Sequence, residues 1–235
     1  MKPLRTRLQE ARNRLGIPWE VLERDYLLSW ILAGIASKLL DEHAPVDISC
    51  ERYTEKDPHP GGQEAFTIRA RFPWQRQPQT RVMIETAVDE KVLKPALERR
   101  ILHEYGETID AQVRVYSLEE IVAEKLRAIL QHAKRLEERG WSRSRARDYY
   151  DLWRILGACR DQMDLSDFAS FLREKCAVRD VAFESSEDFF DVRMLAWVEK
   201  TWDQWLGPLV PGLPNFQTVI GELRPQVAAI IPAGG

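Results

Sequence analysis

The stretch from 115 to 156, VYSLEEIVAEKLRAILQHAKRLEERGWSRSRARDYYDLWRIL, holds the end of an extended segment, a long helix, a basic turn and the start of a second helix. Ser117 followed three residues later by Glu120 has the form of a capping box, so a helix is expected from Leu118 to about Glu138. Its inward stripe reads Leu118, Ile121, Val122, Lys125, Leu126, Ile129 and Leu130, which puts a lysine where a core residue belongs. A buried, unpaired ammonium costs on the order of several kcal/mol, so Lys125 calls for a carboxylate or phosphate partner. Asp148 is the natural candidate, because it shares a helical face with Leu152 and Ile155 and points inward with them. The other reading stays open at this level. In it Lys125 snorkels past its neighbours and Asp148 is an N-terminal acid favoured by the helix dipole.

The segment SRSRARDYYDLW, 142 to 153, sets three arginines before two aspartates and three aromatic rings. From Lys125 to Arg147 eight Lys or Arg face only two acids, whereas from Asp148 onward eight basic residues face fourteen acids. The overall formal charge of −3 conceals this asymmetry. Arg127, Arg143, Arg145 and Arg147 therefore form either an ordinary solvated face or a footprint for phosphate groups, and charge alone does not choose between them.

Outward from this stretch, the 235 residues with 44% hydrophobic content are enough for one large or two small domains. A helix is expected from Pro18 to about Leu40. Strands are expected at Val46 to Thr54, Glu64 to Phe72, Arg81 to Thr86 and Gln112 to Tyr116, with DPHPGGQ at 57 to 63 joining the first two as a hairpin. Further helices are expected at Arg147 to Cys159, Leu165 to Lys175, Glu187 to Trp205 and Asn215 to Ile230, with GPLVPGLP at 207 to 214 as a linker. The class is α+β. Alternation along the strands puts Phe66, Ile68, Ala70, Val82 and Ile84 on one sheet face and Arg69, Arg71, Arg81 and Glu85 on the other. That second face is either a solvated antiparallel surface or the floor of a site.

Cys50, Cys159 and Cys176 are odd in number and far apart, which suggests reduced thiols rather than disulfides or a zinc site. The charged start, MKPLRTRLQEAR, has no signal-peptide apolar run, and the longest apolar stretch, Tyr26 to Ala36, is too short to span a bilayer. A cytoplasmic protein with no membrane segment is expected.

The run from 115 to 156, with its Glu-Lys-Leu-Arg-Ala helix and following Arg-Asp-x-x-Asp-Leu, closely resembles the AbiEii nucleotidyltransferase toxins of bacterial abortive-infection toxin–antitoxin systems. ERDYLLSWILAGI at 23 to 35, RVMIETAVDE at 81 to 90 and the layout of the C-terminal helices carry the same resemblance. It implies a polymerase-β-like nucleotidyltransferase core with helices on one face of a mixed or antiparallel sheet, over residues 1–116, and a helical domain over 117–235. It further implies a nucleoside triphosphate with Mg2+, transfer of a nucleotide to an acceptor that is tRNA in some relatives, and a cognate antitoxin. Lys125 would match the family's essential lysine, which meets triphosphate charge, Asp148 the aspartate of its last motif, and Glu85 the third acid of its metal site.

One motif of that family does not match. The Gly-Gly or Gly-Ser turn followed by Asp-x-Asp on a strand has no counterpart here, since the chain runs from LLSWILAGI through ASK directly into LLDEHAPVDISCERY. The core is thus expected to be incomplete, with the segment missing between about 34 and 39. Two-metal chemistry requires clustered carboxylates that hold the ions about 3.5–4 Å apart. Glu23-Arg24-Asp25 and Glu55-Lys56-Asp57 have the acidic spacing, but the first pair lies in a helix, where a two-residue spacing does not present both acids to one side. The chain is therefore expected to be inactive or impaired as an enzyme; the alternative is a non-catalytic remnant that binds RNA or an antitoxin.

Overall fold

The computed structural model describes residues 2–37, 46–54, 64–87 and 90–232. Two compact units emerge, one built from 1–90 and 97–115, the other from 91–96 and 116–235. The short segment 91–96, which a boundary at 116 assigns to the first domain, packs with the second unit.

The first unit opens with α1, Leu4–Leu15, which the sequence reading did not anticipate because the segment is crowded with charge. Leu4, Leu8, Ala11 and Leu15 nonetheless recur at helical spacing, and Leu8 and Ala11 are buried. Gly16 ends the helix at φ +68°, its N–H returning to the Arg12 carbonyl, a left-handed conformation that a residue with a Cβ adopts only at a cost. Helix α2 spans Trp19–Ser37. Positions 38–40, the proposed junction up to 39, and the DPHPGGQ connection lie outside the described residues.

Strands β1 (Asp47–Arg52), β2 (Glu64–Arg71) and β3 (Thr80–Thr86) form an antiparallel sheet in that order. The register pairs Ile68 with Val82, Arg69 with Arg81 and Ala65 with Glu85. A separate two-stranded ladder joins β4 (Leu97–Arg100) to β5 (Gln112–Val115). Strand β4, LERR, was not expected, since it offers one apolar residue in four; pairing with β5 and the placement of Glu98 opposite Arg114 define it instead. Tyr26, Leu27 and Ile31 of α2 pack with Leu8, Ile68, Ala70, Phe72 and Tyr105 in one apolar cluster, which covers one face of the three-stranded sheet. Each fully buried side chain of this size contributes about 1.5–3 kcal/mol.

The second unit is helical, with α3 (Leu118–Arg139), α4 (Ala146–Ala158), α5 (Phe168–Ala177), α6 (Val192–Leu206) and α7 (Phe216–Ala228). The single helix expected from Glu187 to Trp205 is divided. Ser186–Phe190 forms a 3-10 turn, and the Asp191 side chain then accepts the Met194 N–H at 2.8 Å to start α6 afresh. Val122, Leu126, Tyr149, Leu152, Leu172, Val198 and Leu223 are buried together as the centre of this unit. The class is α+β, and among the described residues no helix is long and apolar enough to cross a membrane.

Candidate functional site

On α3, Lys125 turns its ammonium toward α4. Its Nζ lies 2.6 Å from Asp151 Oδ2 and 3.3 Å from Asp148 Oδ1, while the other oxygen of Asp148 lies 3.1 Å from Arg145 Nε. Two cations and two carboxylates thus alternate in a row. Asp148 and Asp151 meet one lysine because residues three apart on a helix are surface neighbours. Lys125 is paired as its place in the apolar stripe requires, but by two acids rather than one. The Asp-x-x-Asp spacing of the sequence already places Asp151 one helical turn from Asp148, on the same side of α4. Burial lowers the Arg145 guanidinium below its usual pKa, Asp148 opposes that shift, and Arg143, Arg135 and Arg127 add to it.

Sharing changes what a substitution costs. Lys125 and Asp148 retain 20% and 17% side-chain exposure, and Asp151 retains 44%. Removal of Asp148 leaves the Lys125 ammonium with its closer partner and a path to water, and leaves the Arg145 guanidinium, 19% exposed, without its carboxylate. Asp148→Ala is expected to cost about 1–2 kcal/mol in urea unfolding, below the 3–5 kcal/mol typical when a fully buried charge is orphaned. A loss of the larger size from Asp148→Ala that Arg145→Gln relieves would trace the cost to the orphaned guanidinium, and one that it does not relieve would mean that Asp151 fails to compensate for Lys125.

The arginines divide by environment. Arg127 is buried and bonds to Glu124, with a further bond of 3.3 Å to Gln131, so it belongs to the interior and not to an exposed basic stripe. The i, i+3 spacing to Glu124 turned it inward. Arg143 and Arg147 are exposed, and Arg147 lies over the Trp205 ring at 5.7 Å. Arg145 is committed to Asp148.

Beneath this turn, His132 is buried with Nδ1 2.6 Å from Ser142 Oγ. Burial first, then Arg145, Arg135 and Arg143, push its pKa down to about 4, so the ring is neutral near pH 7. The unfolded chain titrates near 6.5 and binds the proton first, which means stability is fully present above that pH and falls as pH drops toward 4. This loss is expected to reach about 2–3 kcal/mol. His132→Gln should remove most of that slope in unfolding measured from pH 7 to pH 4; an unchanged slope would exclude His132 as its source.

On the sheet, Arg69, Arg71, Arg81 and Glu85 are all exposed on the face opposite the helices. Arg71 pairs with Asp47, and Arg81 donates to Thr67 Oγ1 at 3.3 Å and lies over the Tyr53 ring at 5.7 Å. Arg69 and Arg81 stand directly opposite each other, a like-charge pairing that is mildly destabilising. Glu85 stands opposite Ala65. Glu51 lies two strands away and two residues along, about 12 Å distant from strand spacing and rise.

No group of three His, Cys, Asp or Glu that could hold a metal ion occurs among the described residues. The donors among the described residues do not fit a pair of magnesium ions. Glu23 does not fill the gap: it is buried and accepts from Trp19 Nε1 at 2.6 Å, Trp74 Nε1 at 2.7 Å, Gln75 Nε2 at 3.0 Å and Thr80 Oγ1 at 3.1 Å. Asp25 accepts the Tyr105 hydroxyl at 2.6 Å. Both acids of that triplet are occupied by packing partners. Glu55 and Asp57 lie outside the described residues.

A small antiparallel sheet backed by helices, followed by a helical unit with a lysine–aspartate–arginine row on its first two helices, defines an α+β protein with nucleotidyltransferase-like organisation. The profile of the family described as "Nucleotidyl transferase AbiEii toxin, Type IV TA system" matches residues 27–222, and the chain belongs to that family. No curated protein matches the sequence.

Proposed function

We propose that this chain is an AbiEii toxin homologue that acts inside the cell and binds phosphate groups of nucleotide or RNA through its basic residues, while its transfer of nucleotide is severely impaired. Residues 1–116 would be the incomplete catalytic core and 117–235 the helical domain. The observation that carries the reading is the isolation of Glu85: among the described residues it belongs to no metal-ligating group. Lys125 and Asp148 would keep the family's positions on α3 and α4, with Lys125 offered to triphosphate charge and restrained by Asp151 in its absence. The test is incubation of the purified chain with each labelled ribonucleoside triphosphate and tRNA, with magnesium or manganese. The expected result is no transferred label, and label that disappears on Glu85→Ala would overturn the reading.

The exposure of Arg69, Arg143 and Arg147 favours a second activity, RNA binding without chemistry, in a protein that would also meet its cognate antitoxin. Binding of tRNA should weaken with salt at a log–log slope of roughly −0.7 per single-strand phosphate neutralised. Arg69, Arg143 and Arg147 replaced together by Gln should flatten that slope, with Arg145 left in its pair with Asp148. Undetectable binding at low salt would leave these side chains as a solvated face.

A further inference from the structure

The turn between α3 and α4 displays indoles as well as guanidinium groups. Gly140, at φ +70°, ends α3 and its N–H returns to the Leu136 carbonyl, after which Trp141 stands 62% exposed and Arg143 is exposed beside it. Ser144 Oγ meets Thr201 Oγ1 of α6 at 2.6 Å and also accepts the Ala146 N–H at 3.3 Å, which pins the turn to α6. One helical turn beyond Thr201, Trp205 is 45% exposed, and Arg147 from the first turn of α4 lies over its ring at 5.7 Å. Trp141 is within about 10 Å of Ser144 along the chain, and Trp205 is about 6 Å from Thr201 along its helix. Two large apolar rings exposed beside two exposed arginines are unnecessary for folding, since neither indole belongs to the core of the unit.

We propose that this surface binds single-stranded RNA, with unpaired bases stacking on Trp141 and Trp205 while Arg143 and Arg147 meet the intervening phosphates. The inference rests on the RNA-binding reading above and deepens it, because a footprint made of charge alone would not need the rings. Base stacking on an aromatic ring tolerates any sequence, whereas bases paired within a duplex have no free face to offer. Arg147 is held over Trp205, so its guanidinium is already placed beside the ring it would share with a base. The two acids that open α4 are engaged internally, Asp148 with Arg145 and Lys125 and Asp151 with Lys125, while Glu137 and Glu138 at the end of α3 and Asp203 on α6 are exposed and oppose phosphate at the edges of the surface.

The test is fluorescence anisotropy with a labelled twelve-nucleotide oligouridine and, separately, an RNA duplex of the same length, at one fixed salt concentration. Trp141→Ala and Trp205→Ala are each expected to weaken single-strand binding about 5- to 150-fold and to leave duplex binding within about twofold. Trp205→Tyr, which keeps a ring at the Arg147 contact, should restore most of the affinity and guards against misfolding as the cause. If Arg143→Gln with Arg147→Gln abolishes binding while the tryptophan variants bind normally, stacking is overturned and the charge footprint stands. If neither RNA binds at low salt, both readings fail. Affinity for both RNAs that no tryptophan or arginine variant changes would overturn the proposal and leave the surface for a protein partner.

Discussion

Glu120→Ala is expected to lower the stability of the helical unit by about 3–5 kcal/mol, an effect as large as truncation of a core side chain. Lys175 is 2% exposed and its ammonium is satisfied by Glu120 at 2.9 Å, Glu124 at 2.6 Å and the Lys91 carbonyl at 2.6 Å. Burial alone would depress this lysine, but the bonds to Glu124 and Glu120 outweigh it and hold the ammonium above its ordinary pKa. Glu120 has a second role, since its Oε1 accepts the backbone N–H groups of Leu93 at 2.5 Å and Lys94 at 2.7 Å. Truncation would therefore weaken a buried ion cluster and orphan two amides that tie the segment 91–96 to the helices. Urea unfolding measures the loss, and hydrogen exchange at Leu93 and Lys94 should accelerate in parallel. Glu120→Ala combined with Lys175→Met should recover part of the stability, because a buried ammonium that has lost one of its two carboxylates is gone. A single variant within about 1 kcal/mol of the parent would show that Glu124 suffices for Lys175.

The second large effect is catalytic. Insertion of a Gly-turn and Asp-x-Asp segment from an intact family member between Gly34 and Leu39 is expected to raise nucleotide transfer to tRNA by on the order of 10³-fold or more over the unmodified chain. Preorganised charge at the reacting phosphate is worth several kcal/mol, and each 1.36 kcal/mol is a factor of ten in rate. Glu85 would supply one carboxylate from β3, and it belongs to no group of three metal-ligating side chains among the described residues. Glu85→Ala in the restored chain should return transfer to the background. Equal rates with and without the insert, both sensitive to Glu85, would show that the segment is dispensable and that other carboxylates complete the site.

The features legible in the sequence were those set by local period and spacing. The stripe through Lys125 fixed an inward lysine that had to find an acid, and alternation along β2 and β3 put Arg69, Arg71, Arg81 and Glu85 on the exposed face, both from side-chain periodicity that holds wherever the element forms. Helix α1 escaped because its charged residues obscure a stripe of four apolar positions, and β4 because a four-residue strand takes its identity from its partner.

Ser117 and Glu120 mark the limit of local reading. Their spacing specifies a reciprocal capping box, and half of it forms, with Ser117 Oγ accepting the Glu120 N–H at 3.3 Å. The Glu120 carboxylate, however, turns to Lys175, from α5, and to the amides of Leu93 and Lys94. Arg127 likewise left the basic stripe for Glu124 once α3 was packed in its unit. The sequence alone determined that 118–139 is a capped helix with one inward lysine, followed after a basic turn by a second helix that carries its acid. Only the tertiary structure decided which charges face water and which face each other. Desolvation obliges a buried ion to find a partner, but which group reaches it depends on packing that brings in side chains from tens of residues away, as with Glu120 and Lys175.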